Sequence, residues 1–214
     1  MQSEKIDKIF AYFRELFGES PKCELNYSSD IELLVAIILS AQCTDKRVNA
    51  VTKELFKKYK SVQDFANADI KELEKEIYST GFYRNKAKNI IEMAQCVMQG
   101  GRGGERPTIP TDMESLTKLS GVGRKTASVF LSEFHNIPAI AVDTHVIRVS
   151  NRLGFTKSQN PVQIERDLKL LFDEKNWGSY HHYMVLFGRY FCKAQRPKCG
   201  ECKLKHFCNY CLFA

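Results

Sequence analysis

Apolar side chains recur at helical spacing along this chain, and no stretch alternates convincingly at period two. That pattern predicts an all-α fold. Ile6, Ile9, Phe10, Phe13, Leu16 and Phe17 share one face of a first helix, which Ser20-Pro21 should end. Asp30 can cap a second helix, whose run Leu33 to Leu39 is apolar on every side and therefore predicts burial all round. Thr44 or Asp45 opens a third, with Val48, Val51, Leu55, Phe56 and Tyr59 inward. Ser61 and Asp69 cap short helices over 62–66 and 70–78, and 84–98 is helical again. The glycines of 100–104 break that pattern and read as a surface loop. A short helix near 113–119 follows. Asp143 to Leu153 is helical and ended by Gly154, Asn160-Pro161 starts another helix, and 179–192 forms the last long one.

The chain has 214 residues, enough for one or two small domains with a sizeable core. Lys and Arg exceed Asp and Glu by 32 − 25 = 7, which favours an anionic partner. No secretory signal is evident, and the longest apolar run is too short for a membrane span. The expectation is an intracellular protein of the cytoplasm or nucleoid, with no membrane partner.

Within the helical pattern one segment is built differently. Leu119-Ser120-Gly121-Val122-Gly123-Arg124-Lys125-Thr126-Ala127 reads as a helix end, a tight glycine hairpin and a new helix start. Gly121 and Gly123 are expected to take backbone angles that side chains forbid and to let a ligand approach closely. The free amides of the second helix, with Arg124 beside them, suit a phosphate. Lys125 falls in the first turn, where the helix dipole and Arg124 both disfavour its protonated form. A neutral amine attacks carbon and forms Schiff bases. Downstream, Asp143 in Val142-Asp143-Thr144-His145 is placed to cap a helix.

Eight cysteines are present, and five of them fall in the last 23 residues. In an intracellular chain such crowding points to metal ligation rather than disulfides. Cys192, Cys199, Cys202 and Cys208 are spaced x6, x2, x5 and can wrap one compact inorganic centre. Cys199, Cys202, Cys208 and Cys211 instead form two C-x-x-C pairs, a spacing closer to a zinc site. Lys193, Arg196, Lys198, Lys203 and Lys205 surround the cysteines against a single Glu201, as a phosphate-facing loop would.

These pieces, together with Ser40-Ala41-Gln42-Cys43-Thr44-Asp45 and Gly81-Phe82-Tyr83-Arg84-Asn85-Lys86-Ala87, resemble the endonuclease III family of DNA glycosylases over nearly the whole chain. The resemblance implies two helical lobes: a six-helix barrel over 23–135 containing the hairpin, and a discontinuous lobe of 1–22 plus 136–214. It implies one 4Fe-4S cluster on Cys192, Cys199, Cys202 and Cys208, with Cys211 spare. It implies Lys125 as the nucleophile at C1′ and Asp143 as its helper. Gln42 and Phe82 would fill the gap left by an extruded nucleotide. Gly121, Gly123, Arg124, Arg196 and Lys198 would hold DNA. The implied activity removes oxidised pyrimidines from double-stranded DNA and cleaves abasic sites by β-elimination, as a monomer.

One departure is Ser120, where the family often has proline; serine is expected to leave the hairpin less rigid. The rival readings are a monofunctional adenine or mismatch glycosylase, which usually lacks a lysine at position 125, and a non-enzymatic redox-sensing DNA-binding protein, which would need neither Lys125 nor Asp143.

Overall fold

The structure, a computed structural model, describes residues 2–100 and 107–212. Among these residues there are α-helices and short 3-10 and π turns, and no strand. The glycine loop predicted for 100–104 lies, beyond Gly100, outside the described residues. Gly100 itself is helical.

Contacts divide the chain into two units: Glu24–His135, and Met1–Cys23 together with Asn136–Ala214. The first is assembled round α2 (Asp30–Ser40), in which Ile31 and Leu33 to Leu39 are all buried. Ser29, not Asp30, caps it, accepting from the Glu32 amide at 3.3 Å. Packed on α2 are α3 (Asp45–Lys58), α6 (Tyr83–Gly100) and α8 (Arg124–His135). Thr44 caps α3. The short helices α4 (Val62–Ala66) and α5 (Ile70–Glu76) carry the expected Ser61 and Asp69 caps and lie against α6. Helix α5 stops short of the expected end, and Tyr78–Thr80 tightens into a 3-10 turn. Helix α7 is a single turn, Met113–Leu116.

The second unit joins α1 (Gln2–Phe17) to α9 (Thr144–Leu153), α10 (Pro161–Leu171), α11 (Trp177–Leu186) and α12 (Asn209–Leu212). Helix α1 ends earlier than Ser20-Pro21 suggests. Gly18, at φ +81°, donates its amide to the Arg14 carbonyl and turns the chain out. An aromatic core holds α1 in place. The Phe10 ring stacks on Tyr180 with centroids 3.5 Å apart and meets Phe172 edge-on at 5.4 Å. Tyr183 also donates its hydroxyl to the Gly18 carbonyl at 2.7 Å. Burying such rings is worth several kcal/mol each, which ties the first helix of the chain to the unit formed by its end.

Candidate functional site

Gly121 sits at φ +76°, and a Cβ there would fall 2.9 Å from Asn89 Cβ. Both facts require glycine. Gly123 differs from expectation. It has no positive φ, and a Cβ built on it meets nothing within 4 Å. Nothing inside the fold asks for glycine at that position, so the open face of the hairpin is free to take a ligand at close range. The Val122 amide closes the turn onto the Leu119 carbonyl at 3.1 Å. Ser120 donates its hydroxyl to Glu92 Oε2 on α6 at 3.0 Å, a tether that proline could not make. Arg124 and Lys125 are the first two residues of α8, and both are exposed.

The two expected gap-fillers share a property that sequence does not reveal. Gln42 has φ +53° and Phe82 φ +47°; among the described residues only Asn136 and Arg196 also break the glycine rule. Gln42 occupies the third position of a β-turn. Ala41 precedes it at φ −58°, ψ 114°, and the Cys43 amide closes on the Ser40 carbonyl at 3.1 Å. These are the signs of a type II turn, whose third position ordinarily takes glycine or asparagine. Phe82 follows Gly81, itself at φ +71°, and is 64% exposed. Left-handed non-glycine residues cost about 1–3 kcal/mol each and gather at ligand-binding positions. Arg196, at φ +49° and exposed, belongs to the same group.

In the discontinuous unit, Asp143 is the N-cap of α9 and accepts from the Val146 amide at 2.8 Å. Helix α9 then runs to the cysteines. Arg148 donates Nε to the Cys192 carbonyl at 3.1 Å and Nη2 to the Gly188 carbonyl at 2.7 Å. Its Nη2 also lies 3.1 Å from His145 Nδ1. A guanidinium only donates, so His145 Nδ1 accepts and the imidazole proton resides on Nε2. Burial holds the His145 pKa below its ordinary value, which makes it a neutral structural partner. Arg152 donates Nη1 to Cys192 Sγ at 3.1 Å and to the Lys193 carbonyl at 2.9 Å.

Cys192 does not end an α-helix. After α11 the chain widens into a π turn, Phe187–Phe191, and the Cys192 amide reaches the Phe187 carbonyl at 2.7 Å. A Cβ at Gly188 would lie 2.8 Å from His145 Cβ, so glycine is what lets the π turn close on α9.

Cys192, Cys199, Cys202, Cys208 and Cys211 line one pocket walled by Phe187, Phe191 and Leu204. Among the described residues, no three His, Cys, Asp or Glu side chains converge on a single-ion position. Burial raises the Cys192 and Cys202 thiols, and raises Cys211 to about 12. An apolar, thiol-lined pocket with a guanidinium donating to sulfur fits an anionic iron–sulfur cluster. The basic residues on this loop, Lys193, Arg196, Lys198, Lys203 and Lys205, are all exposed, and Lys203 also pairs with Glu15 of α1.

Sequence reasoning passed over Lys86. It is 4% exposed, and its Nζ donates to the Leu39 and Thr80 carbonyls, each at 2.8 Å. The signal was there: Lys86, Ile90, Met93 and Val97 form one buried stripe of α6.

Comparison with known proteins agrees with these features. Residues 35–174 match the HhH-GPD superfamily of base excision DNA repair proteins, and residues 192–208 match the iron-sulfur binding domain of endonuclease III. The second match spans Cys192 to Cys208, and its being an iron-sulfur binding domain favours a 4Fe-4S cluster over zinc. Endonuclease III of Bacillus subtilis is 48% identical over 189 residues, covering 88% of this chain and 84% of that protein. Endonuclease III of Escherichia coli K12 is 38% identical over 98% of this chain and 97% of that protein. A solved structure of a trapped endonuclease III–DNA covalent intermediate superposes with a TM-score of 0.92 at 42% identity, covering 100% of this chain and 98% of that one. A thermostable thymine-DNA glycosylase, at 20% identity and TM-score 0.85, shares the fold. This chain belongs to the endonuclease III family of base-excision-repair enzymes, DNA glycosylases and abasic-site lyases that carry a 4Fe-4S cluster.

Proposed function

We propose that Lys125 is the nucleophile of a bifunctional glycosylase acting on double-stranded DNA that contains oxidised pyrimidines or abasic sites. The carrying observation is an exposed lysine in the first turn of α8, directly after a hairpin whose second glycine faces open space. The Nζ lone pair forms a bond to C1′ of the extruded nucleotide. The N-glycosidic bond breaks, and the base leaves with its electron pair and takes up a proton. Asp143 assists by accepting the ammonium proton or by stabilising the positive charge that builds on the sugar. The C1′–O4′ bond of the resulting aminal then breaks, O4′ takes up a proton, and the nitrogen lone pair forms an iminium that acidifies the C2′ proton. Loss of that proton expels the 3′ phosphate, and hydrolysis of the iminium frees the lysine.

Gln42 hydrogen-bonds the orphaned partner base and Phe82 wedges into the stack, since every base offers a π-face to an exposed ring. Gly121, Gly123 and Arg124 hold a phosphate at the start of α8. Cys192, Cys199, Cys202 and Cys208 ligate the cluster. With a cysteine on each iron, the cluster would leave no position open for water or substrate and would serve to stiffen the loop that carries Arg196 and Lys198 towards the DNA backbone. The protein acts as a monomer on chromosomal DNA in the cytoplasm or nucleoid. No helix among the described residues is long and apolar enough to cross a membrane.

The test is turnover on two duplexes, one with an oxidised pyrimidine and one with an abasic site, resolved on a denaturing gel. Strand cleavage of both is expected without added base or heat. Base release that leaves the strand whole would mean a monofunctional glycosylase, and no turnover on either would leave only a binding protein.

A further inference from the structure

The last carbonyls of α2 have no partners within the helix, and three of the four are met locally. The Ile37 carbonyl accepts from Ser40 Oγ at 2.7 Å, Ile38 from the Ala41 amide at 3.4 Å, and Ser40 from the Cys43 amide at 3.1 Å. The Leu39 carbonyl takes the ammonium of Lys86 instead, at 2.8 Å. The same nitrogen holds the carbonyl of Thr80, a residue itself buried, at 2.8 Å. Leu39 lies three residues before Gln42, and Thr80 lies two before Phe82. One buried cation therefore joins the roots of two loops that are distant in sequence. Both loop tips hold left-handed non-glycine residues, and such strain persists only where the surroundings over-determine it. Lys86 also donates its backbone amide to the Phe82 carbonyl at 3.1 Å, so the residue is fixed to the second loop at both ends.

We infer that Lys86 is a positioning residue for base extrusion: it sets the spacing of the Gln42 and Phe82 loops so that both side chains enter the duplex together. This rests on the gap-filling reading of Gln42 and Phe82. The ammonium touches no substrate. It acts through two main-chain carbonyls, and its effect is to present the two fillers as one unit.

The experiment is a double-mutant cycle on single-turnover excision of an oxidised pyrimidine, run well below the melting temperature of every variant. Lys86→Met is measured in the native background and in Gln42→Ala/Phe82→Ala. In the native background the rate should fall about tenfold to a hundredfold, the scale of a small misplacement near a reacting centre. With both fillers removed, the same substitution should cost less than about threefold, because there is nothing left to position. A 2-aminopurine placed opposite the lesion should lose its fluorescence change on binding with Lys86→Met and regain it with Lys86→Arg, which still donates twice. Where Lys86→Met does not fold, Lys86→Gln takes its place in the cycle with the same expected coupling. Equal losses in the two backgrounds, or none in the native one, would overturn the proposal and leave the fillers standing. A Gln42→Ala/Phe82→Ala protein as fast as the parent would remove the gap-filling reading itself, and this inference with it.

Discussion

The two units hold their functional residues by different means. In Glu24–His135 those residues stand on short joints between helices that are close in sequence. Gln42 follows α2, Phe82 precedes α6, and the hairpin precedes α8. Helices α2, α3, α4, α5 and α7 have side-chain caps, and the left-handed Gln42 and Phe82 stand at the joints. In the discontinuous unit the functional loop has little regular structure of its own. It is held from outside by Arg148, Arg152 and Lys203, by a π turn, and by the cluster its cysteines bind. Both units carry left-handed residues where side chains must project, Gln42 and Phe82 in the first and Arg196 in the second. The second spends side-chain contacts on a loop that must present charge. Substitutions should therefore separate chemistry from stability cleanly in the first unit and mix the two in the second.

The sharpest break is expected at Lys125. Lys125→Ala should lower single-turnover strand cleavage by about a thousandfold or more, with an unchanged melting temperature, since the side chain is exposed. Residual cleavage within tenfold of the parent would move the nucleophile elsewhere. Asp143→Asn comes next. Asparagine caps a helix about as well as aspartate, so α9 should survive while excision falls about a hundredfold. A large stability loss measured by thermal unfolding would instead show that capping is the residue's main work.

On the stability side, Phe10→Ala should cost about 3–5 kcal/mol in denaturant unfolding, because the ring is fully buried between Tyr180 and Phe172. The same variant should lose absorbance near 400 nm, since the core beneath the cluster loop loosens with it. Full retention of that absorbance would mean the loop holds its cluster independently of α1.

The hairpin glycines should part company. Gly121→Ala meets Asn89 and a positive φ and should destabilise by at least about 1 kcal/mol. Gly123→Ser points a capping side chain into open space; it should leave stability within about 0.5 kcal/mol yet weaken DNA binding measured by fluorescence anisotropy. Equal effects from the two would mean that Gly123 serves only the turn. The smallest change is Arg196→Gly, which relieves a left-handed arginine. It should lower the slope of log affinity against log salt by about one and raise stability slightly. An unchanged slope would take Arg196 off the DNA.

Much of this was legible in the sequence because it is local. The caps at Ser61, Asp69, Asp143 and Asn160 depend on residues two or three apart. The burial of α2 follows from its unbroken apolar run. The cysteine spacing pointed to a compact centre but left zinc open, and only similarity to known proteins closed that question. What was hidden is either conformational or distant. A positive φ at Gln42, Phe82 or Arg196 has no compositional mark, because those residues do not favour it. The Ser120–Glu92 tether and the pairing of Lys203 with Glu15 join remote segments. Lys86 was missed for another reason: a lysine among polar neighbours reads as exposed unless the helical stripe is counted through it.

The central claim is that one ε-amine becomes bonded to deoxyribose in each cycle. Borohydride reduction during turnover on an abasic duplex, followed by proteolysis and mass mapping of the nucleotide-bearing peptide, tests it directly. The expected result is a single adduct on the peptide containing Lys125, absent from Lys125→Ala. An adduct on any other lysine, or turnover with no adduct at all, would contradict it.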